Sequence, residues 1–209
     1  MTKTYKNDDS FFTCLYAPGS LHRWTVRSWF EDVKYPMFRF IRDLDVEQQY
    51  LNLQQVHEIY PGISTITVVV NPWRRVSHAY NNMVNQKLAE DTSRNIPANT
   101  FDFNIDNFES FISNIPKTPV DSKFWFTPTT PQVRWCEYEL DGVKETVTHI
   151  LRDEHIIEDF KPIQDYFVST VPLKLQEDLP EYQQFYSDTT KKRVAEIFAE
   201  DIERFGYTF

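Results

Sequence analysis

The chain has 209 residues and a mass of 25.0 kDa, enough for one large domain. Its 41% hydrophobic and 16% aromatic residues can fill a packed core and exclude a disordered chain. A net charge of −9 and a pI near 5.0 argue against binding to a nucleic-acid polymer, which would need a surplus of Lys and Arg. A local cationic pocket for a small anionic ligand remains compatible with this charge.

Neither cysteine lies in a pair with metal-ligand spacing, so we expect Cys14 and Cys136 to be buried thiols and predict no metal site. The first ten residues, MTKTYKNDDS, lack the apolar segment of a signal peptide and are predicted to be flexible. No apolar run is long enough to cross a bilayer. We therefore predict a soluble, cytoplasmic protein without a membrane span.

Strands and helices are predicted to alternate along the first half of the chain. The β-branched run STITVVV at 64–70 is the strongest strand signal. Asn71 is a suitable side-chain cap and Pro72 a suitable first helical residue, which predicts a helix over 72–89. The other predicted elements are a strand over 11–17, a helix over 21–33, and a segment over 46–60 that is a helix or a helix running into a short strand.

The second half of the chain gives a less regular pattern. The closing segment 187–209 carries one apolar stripe between a Ser187 cap and a Gly206 stop, which predicts a helix. The remaining predictions are a short amphipathic helix over 107–115, an irregular stretch over 124–138, a strand over 145–152, and a helix over 156–167 that Pro162 interrupts or shifts.

Strands followed by helices across short connections predict an α/β fold with a central, mainly parallel sheet, in one domain over 11–209. In such a fold each strand-to-helix turn brings a helix N-terminus, a natural anion site, to the carboxyl edge of the sheet. Two turns fit this description, YAPGSLHRW at 16–24 and VNPWRR at 70–75. The arginine side chains of the second suit phosphate or sulfate. The ordinary alternatives are a common Pro-Gly-Ser turn and two solvated arginines.

The same segments resemble the sulfotransferase superfamily, particularly its carbohydrate sulfotransferase branch. VVVNPWRRVSHAY is similar to the family's 3′-phosphate segment, R-[DN]-P-x-x-R-x-x-S-x-Y. Further segments resemble family elements in the same order and cover most of the chain: NFESFI, TPQVRW, HILRDEHIIEDF and YSDTTKKRVAEIFAEDIERFGYTF.

This resemblance implies a P-loop-like, three-layer fold and an enzyme that moves a sulfuryl group from 3′-phosphoadenosine 5′-phosphosulfate (PAPS) to a hydroxyl or amine. The partners would be this anionic nucleotide and a glycan or small-molecule acceptor, with no metal. Without the membrane anchor of Golgi relatives, the chain would suit a bacterium or a bacteriophage. The resemblance implies that the nucleotide is bound by Pro18, Gly19, Ser20, Arg23, Asn71, Arg75, Ser77 and His78.

Two departures from the family pattern concern cations. Ala17 stands where the family has the lysine that stabilises the departing phosphate oxygen, and Val70 stands where the 3′-phosphate segment begins with arginine. Arg23, His22 or Arg27 is a possible substitute for the lysine. The alternative function is a protein of the same fold that binds a nucleotide or glycan without turnover.

Sulfuryl transfer needs a base for the acceptor and cations around the sulfonyl group. His57 in LQQVHEIYPG is the best base candidate, Glu58 is a weaker one, and an ordinary surface histidine is the alternative for His57. His22 is a candidate donor to the sulfonyl group, and Arg23 is a third catalytic candidate. Arg152 and Glu154 are expected to form an ion pair or to hold a loop. A small-molecule kinase is disfavoured because no P-loop lysine is found.

Overall fold

The structure is a computed structural model, and it describes residues 12–15, 23–33, 53–59, 61–89, 107–115, 130–175 and 181–209. These residues fall into two compact units. The first unit is drawn from Met1–Val70 and Gln132–Leu179, and the second from Asn71–Pro131 and Pro180–Phe209. The single-domain assignment therefore stays a prediction, and the flexible segment predicted over 1–10 lies outside the described residues.

The described residues of the first unit form a three-stranded parallel sheet, a two-stranded hairpin and four α-helices. The elements are β1 (Phe12–Leu15), α1 (Arg23–Asp32), α2 (Leu53–Ile59), β2 (Ser64–Val69), α5 (Val133–Cys136), β3 (Glu137–Leu140), β4 (Val143–Thr146), β5 (His149–Arg152), a 3-10 turn (Asp153–His155) and α6 (Ile156–Tyr166). In the parallel sheet β2 is the central strand, in the order β1-β2-β5, with Phe12 opposite Ser64 and Val69 opposite Arg152.

A large hydrophobic cluster of the first unit lies on one face of this sheet. The side chains of β2 are buried from Thr65 to Val69, as expected for a central strand covered on both faces. Trp29 packs edge-on against Phe160, with ring centroids 4.9 Å apart, and its indole N–H donates to the carbonyl of Val171 at 2.8 Å. The buried residues of this hydrophobic cluster are Val26, Trp29, Phe30, Ile66, Val68, Leu151, Ile156, Phe160, Ile163 and Phe167.

The second unit is helical in the part of the chain that the structure describes. α3 packs against α4 and α7, and an aromatic edge-to-face chain joins Tyr80, Phe108, Tyr186 and Phe209. Its elements are α3 (Pro72–Ala89), α4 (Phe108–Asn114), a 3-10 turn (Gln183–Phe185), α7 (Asp188–Ile197) and α8 (Ala199–Phe205). Helices together with a parallel sheet confirm the α/β class at the level of the whole chain.

Two sequence predictions were wrong in detail. The stretch 124–138 is predicted to be irregular, yet its described part holds α5 and the start of β3. The single strand predicted over 145–152 is two strands, β4 and β5. β3 and β4 form a hairpin whose turn residues, Asp141 and Gly142, both have positive φ (52° and 76°). That geometry is typical of the Asp-Gly hairpin turn, which ends the pairing of β3 and redirects the chain.

The closing segment bends where the apolar stripe predicted continuity. Ser187 caps α7 as predicted, and its side chain accepts from the backbone N–H of Thr190. Gly206 ends α8 in the left-handed conformation at φ 69°, also as predicted. Between them Phe198, at φ −110° and ψ 29°, separates α7 from α8. None of the described helices is both long and apolar enough to cross a bilayer.

Candidate functional site

The start of α3 is closed by its own side-chain cap. The side-chain oxygen of Asn71 accepts from the backbone N–H of Trp73 at 3.0 Å, and its amide donates to the carbonyl of Thr208 at 2.8 Å. Pro72 occupies the first helical position, where its missing N–H costs nothing. The predicted helix over 72–89 and its cap are thus confirmed. The cap also uses donors that the sequence had suggested for an anion.

Arg75 is a buried structural cation in this arrangement. Its side chain is 2% exposed, and its Nη1 donates to the carbonyl of Thr130 at 2.8 Å. The same atom lies 4.0 Å from a carboxylate oxygen of Asp201, which is fully buried, and the guanidinium lies over the ring of Phe198. A cation already enclosed by a carboxylate, a carbonyl and a ring is poorly suited to bind a nucleotide phosphate directly.

Arg74 and His78 occupy the more open face of α3. They are four residues apart, which places them one above the other on a helix, and both are half-buried while Arg75 and Ser77 are buried. The guanidinium of Arg74 lies 4.7 Å from the ring centroid of Tyr182. The hydroxyl of Ser77 donates back to the carbonyl of Arg74 at 2.9 Å, inside the helix. Arg74, which the sequence argument noted without choosing, is therefore better placed than Arg75 for an anion.

The junction between β2 and α3 is held by a side-chain amide in the first unit. Gln132 is fully buried, and its side-chain oxygen accepts from the backbone N–H of Val70 at 2.9 Å. Its side-chain nitrogen donates to the carbonyl of Val70 at 2.7 Å. One glutamine thus satisfies both backbone groups of Val70 in the way a neighbouring strand would. Gln132 belongs to the segment TPQVRW, which the sequence argument singled out.

The junction between β1 and α1 is described only at its two ends. β1 and β2 are adjacent and parallel, so the chain leaves both strands at the same edge of the sheet. The predicted ligands Pro18, Gly19, Ser20 and His22, together with Ala17, lie outside the described residues. Arg23 is the first residue of α1, and its side chain is also outside the described set.

His57 forms a pair with a residue that the sequence argument did not choose. Its Nδ1 lies 2.9 Å from the hydroxyl oxygen of Tyr138, and the two rings meet edge-to-face with centroids 5.7 Å apart. α2 packs against β3 in the first unit, which brings the two side chains together. Both are half-buried, so the pair remains accessible at its rim.

Two carboxylates act on the Tyr138 member of this pair. Glu145 is the cross-strand partner of Tyr138 on β4, and Glu58 follows His57 on α2. Desolvation, followed by the negative charges of Glu145 and Glu58, raises the pKa of Tyr138 above its ordinary value. The phenol therefore keeps its proton at neutral pH. The side-chain amide of Gln54 donates to Glu58 at 3.1 Å and holds that carboxylate.

Arg152, at the end of β5, forms a forked pair with Asp159, while the ion pair or loop-holding role expected of Arg152 and Glu154 stays a prediction. Its Nε and Nη2 donate to the two carboxylate oxygens at 2.9 Å and 2.8 Å, and its backbone N–H adds a third bond at 2.9 Å. Partial burial alone would raise the pKa of Asp159, but the hydrogen bonds and charge of Arg152 outweigh it and the pKa is lowered. This forked pair joins β5 to α6.

His149, His155 and Trp135 lie in other described elements and were given no role above. Within the described residues, no group of three His, Cys, Asp or Glu side chains is arranged to hold a metal ion. His149 lies in β5, where burial lowers its pKa, and His155 is exposed beside Glu158. Trp135 is half-buried in α5.

The chain was also compared with known proteins. Searches against protein-family models, curated proteins and solved structures found no match.

Three contact partners of the candidate residues were not predicted, for a common reason. Tyr138, Thr130 and Asp201 each meet their partners across more than fifty residues of chain, a range that spacing and periodicity do not reach. The Asp-Gly dipeptide at 141–142 predicts a hairpin that aligns Tyr138 with Glu145, but it gives no signal for the contact between Tyr138 and His57.

Proposed function

We propose that this chain is a sulfotransferase that moves a sulfuryl group from PAPS to a hydroxyl or amine of a carbohydrate or other small acceptor. The observation that carries the proposal is the adjacent parallel pairing of β1 and β2, with Leu15 opposite Thr67. Two strand-to-helix junctions then leave one edge of the sheet, where α/β proteins bind ligands. These are the junctions that resemble the family's 5′- and 3′-phosphate segments.

The proposed roles in binding PAPS are assigned to side chains according to how exposed they are. Arg74 and His78 bind the 3′-phosphate, because they share the less buried face of α3, and Asn71 and Arg75 hold the helix in place. The phosphosulfate is assigned to Pro18, Gly19 and Ser20, with His22 or Arg23 supplying the positive charge that Ala17 does not. The finer fold, a P-loop-like sheet between two helical layers in one domain, belongs to the same proposal.

His57 is the proposed general base. Its imidazole is accessible, it has one hydrogen-bond partner at Nδ1, and its ring is oriented by the edge-to-face contact with Tyr138. A positioned imidazole that removes a proton during attack contributes about 10²- to 10⁴-fold to a rate.

A binding protein without turnover is the second candidate function, and a specific observation favours it. Val70 stands where the family has a phosphate-binding arginine, and both of its backbone groups are engaged by Gln132. Position 70 therefore contributes neither a cation nor a backbone donor to a phosphate. This candidate keeps nucleotide or glycan binding and lacks transfer.

Ligand binding is tested first by thermal unfolding with adenosine 3′,5′-bisphosphate (PAP) and, separately, with AMP. We expect PAP to raise the melting temperature and AMP to have little effect, because only PAP carries a 3′-phosphate. At a concentration about 100 times its dissociation constant, PAP would stabilise the protein by about 2.7 kcal/mol. Equal effects of PAP and AMP, or none, would count against the sulfotransferase and against the nucleotide-binding form of the second candidate.

Turnover is tested by transfer of labelled sulfate from PAPS to a panel of hydroxyl and amine acceptors. His57→Ala is expected to lower kcat by roughly 10²- to 10⁴-fold while PAP still stabilises the protein. Arg74→Ala is expected to weaken PAP binding, and Arg193→Ala, a change on the exposed side of α7, is its matched control. PAP binding without transfer to any acceptor would support the binding protein instead.

A further inference from the structure

The side chain of Tyr138 controls which nitrogen of His57 carries a proton. In neutral histidine one ring nitrogen is a donor and the other an acceptor, and the hydrogen bond at one nitrogen decides the role of the other. His57 can act as a base through Nε2 only if Nδ1 holds the proton. Among the described residues, Tyr138 forms the hydrogen bond to the imidazole of His57.

The hydroxyl of Tyr138 can form its hydrogen bond with Nδ1 of His57 in two ways. It can donate its proton to Nδ1, which leaves Nε2 protonated and unable to act as a base. It can instead accept the Nδ1 proton, which directs its own O–H elsewhere and leaves Nε2 with a free lone pair. The 2.9 Å separation between Nδ1 and the hydroxyl oxygen fits both arrangements.

The surrounding charges decide between them. Glu145 lies opposite Tyr138 across the β3–β4 hairpin, whereas His57 lies on α2, and the negative charges of Glu145 and Glu58 both act on the hydroxyl. A phenolic O–H dipole is most stable with its hydrogen toward such charges and its lone pair away from them. In that orientation the oxygen accepts from His57, so the carboxylates favour the tautomer with Nδ1–H.

We infer that Tyr138 is a positioning residue for His57: its hydroxyl oxygen accepts the Nδ1 proton and holds the imidazole in the tautomer whose Nε2 accepts a proton from the substrate. The same hydrogen bond persists when Nε2 becomes protonated, so the cationic imidazole formed during catalysis is stabilised too. The catalytic meaning of this inference rests on the proposed function, whereas the tautomer is a property of the protein alone.

In the proposed reaction the acceptor hydroxyl transfers its proton to Nε2 as its oxygen bonds to sulfur. The bond between sulfur and the bridging phosphate oxygen of PAPS breaks, and its electron pair leaves with PAP. Every proton and electron pair is accounted for without a further reactant. Tyr138 keeps its own proton throughout, as its raised pKa requires.

The test is nitrogen-15 NMR of protein labelled at histidine, with the His57 signals identified by their loss in His57→Gln. We expect the parent to show Nδ1–H as the main tautomer at a pH where the imidazole is neutral. Tyr138→Phe keeps the ring contact but removes the oxygen, and it should shift His57 toward the tautomer mixture of a histidine without a partner at Nδ1. Tyr166→Phe, at a tyrosine 53% exposed on α6, is the matched control and should change nothing.

Glu145→Gln is the second variant. It removes a negative charge from the phenol and keeps every atom of the His57–Tyr138 contact, so it should raise the share of Nε2–H. It also decides the question if Tyr138→Phe fails to fold. A parent with Nε2–H as the main tautomer overturns the inference, as does a tautomer ratio that neither variant changes.

Activity provides an independent readout. Tyr138→Phe should lower kcat by about 10- to 100-fold, the usual cost of losing a group that orients a functional histidine, with little change in KM. If the parent transfers no sulfate, the proposed function fails, while the NMR result still decides the role of Tyr138. An unchanged kcat in an active enzyme overturns the inference.

Discussion

The basic side chains of the two units differ in how they are held. At the start of α3, Arg75 is enclosed by a carbonyl, a carboxylate and a phenyl ring at 2% exposure. In the first unit, His57 and Arg152 are partly exposed and contact Tyr138 and Asp159. Enclosed charges act on folding, whereas partly exposed groups can also exchange protons or bind ligands. A motif position alone does not distinguish these two situations.

The largest effect is expected from Arg75→Ala. Removing one member of a buried pair leaves the other charge, here Asp201, buried without the Arg75 cation, which costs about 3–5 kcal/mol of the free energy of unfolding. Urea denaturation measures this loss. PAP binding by the fraction that remains folded should be little changed.

Arg74→Ala is the control for that experiment, at the neighbouring position. Its half-buried side chain contacts Tyr182, so the variant should lose about 0.5–1 kcal/mol of stability but a larger part of its PAP affinity. If the two variants exchanged these effects, the distinction between enclosed and open arginines would be wrong.

Asn71→Ala should have the next largest effect. It removes the cap of α3 and leaves the Thr208 carbonyl without its donor, so we expect a loss of about 1–2 kcal/mol in thermal or chemical unfolding. Ser187→Ala, which removes the exposed cap of α7, is the comparison. A smaller loss for Asn71→Ala than for Ser187→Ala would contradict the role given to the Thr208 contact.

The Arg152–Asp159 pair should contribute less to the free energy of unfolding than the Asn71 cap does. Its contribution should be lost at acid pH. The pKa of Asp159 is lowered in the folded state, so its contribution is fully present above its ordinary value of 3.8 and is lost as the pH falls through the folded value. Because Arg152 is 42% exposed, we expect less than about 1 kcal/mol. Asp159→Asn should lower stability at neutral pH and flatten its pH dependence below pH 3.8. An unchanged acid profile would argue against this pair.

The smallest effect is expected from His149→Gln. Burial lowers the pKa of His149, so below its ordinary value of 6.5 the unfolded chain binds a proton before the folded chain does. Stability therefore declines as the pH falls from 6.5, and the variant should lose that part of the decline. Unfolding measured between neutral and mildly acidic pH tests this, with the exposed His155→Gln as control.

Local patterns predicted the elements that local chemistry determines. Asn71 and Pro72 marked the start of α3, Ser187 marked α7, and Gly206 marked the end of α8. Each acts through hydrogen bonds or backbone angles within a few residues. Such signals are complete in a short stretch of sequence.

Long-range partners were not predictable in this way. Arg74 and Arg75 have the same charge and adjacent positions, and only the packing of α8 and Phe198 makes the second a structural residue. His57 was found as a candidate base because its residue type is distinctive. Its partner Tyr138 depends on how α2 packs against β3, which no local pattern contains.

The two hydrogen bonds between the Gln132 side chain and the Val70 backbone limit how the β2–α3 junction can recognise a ligand. Val70 gives its N–H to Gln132, Pro72 has none, and Trp73 gives its N–H to Asn71. A concave nest of main-chain amides, the usual cradle for phosphate, is therefore not available from these three positions. Selectivity for a ligand here would come from the length and charge of side chains. Slow hydrogen exchange at the Val70 amide would show that its hydrogen bond to Gln132 persists.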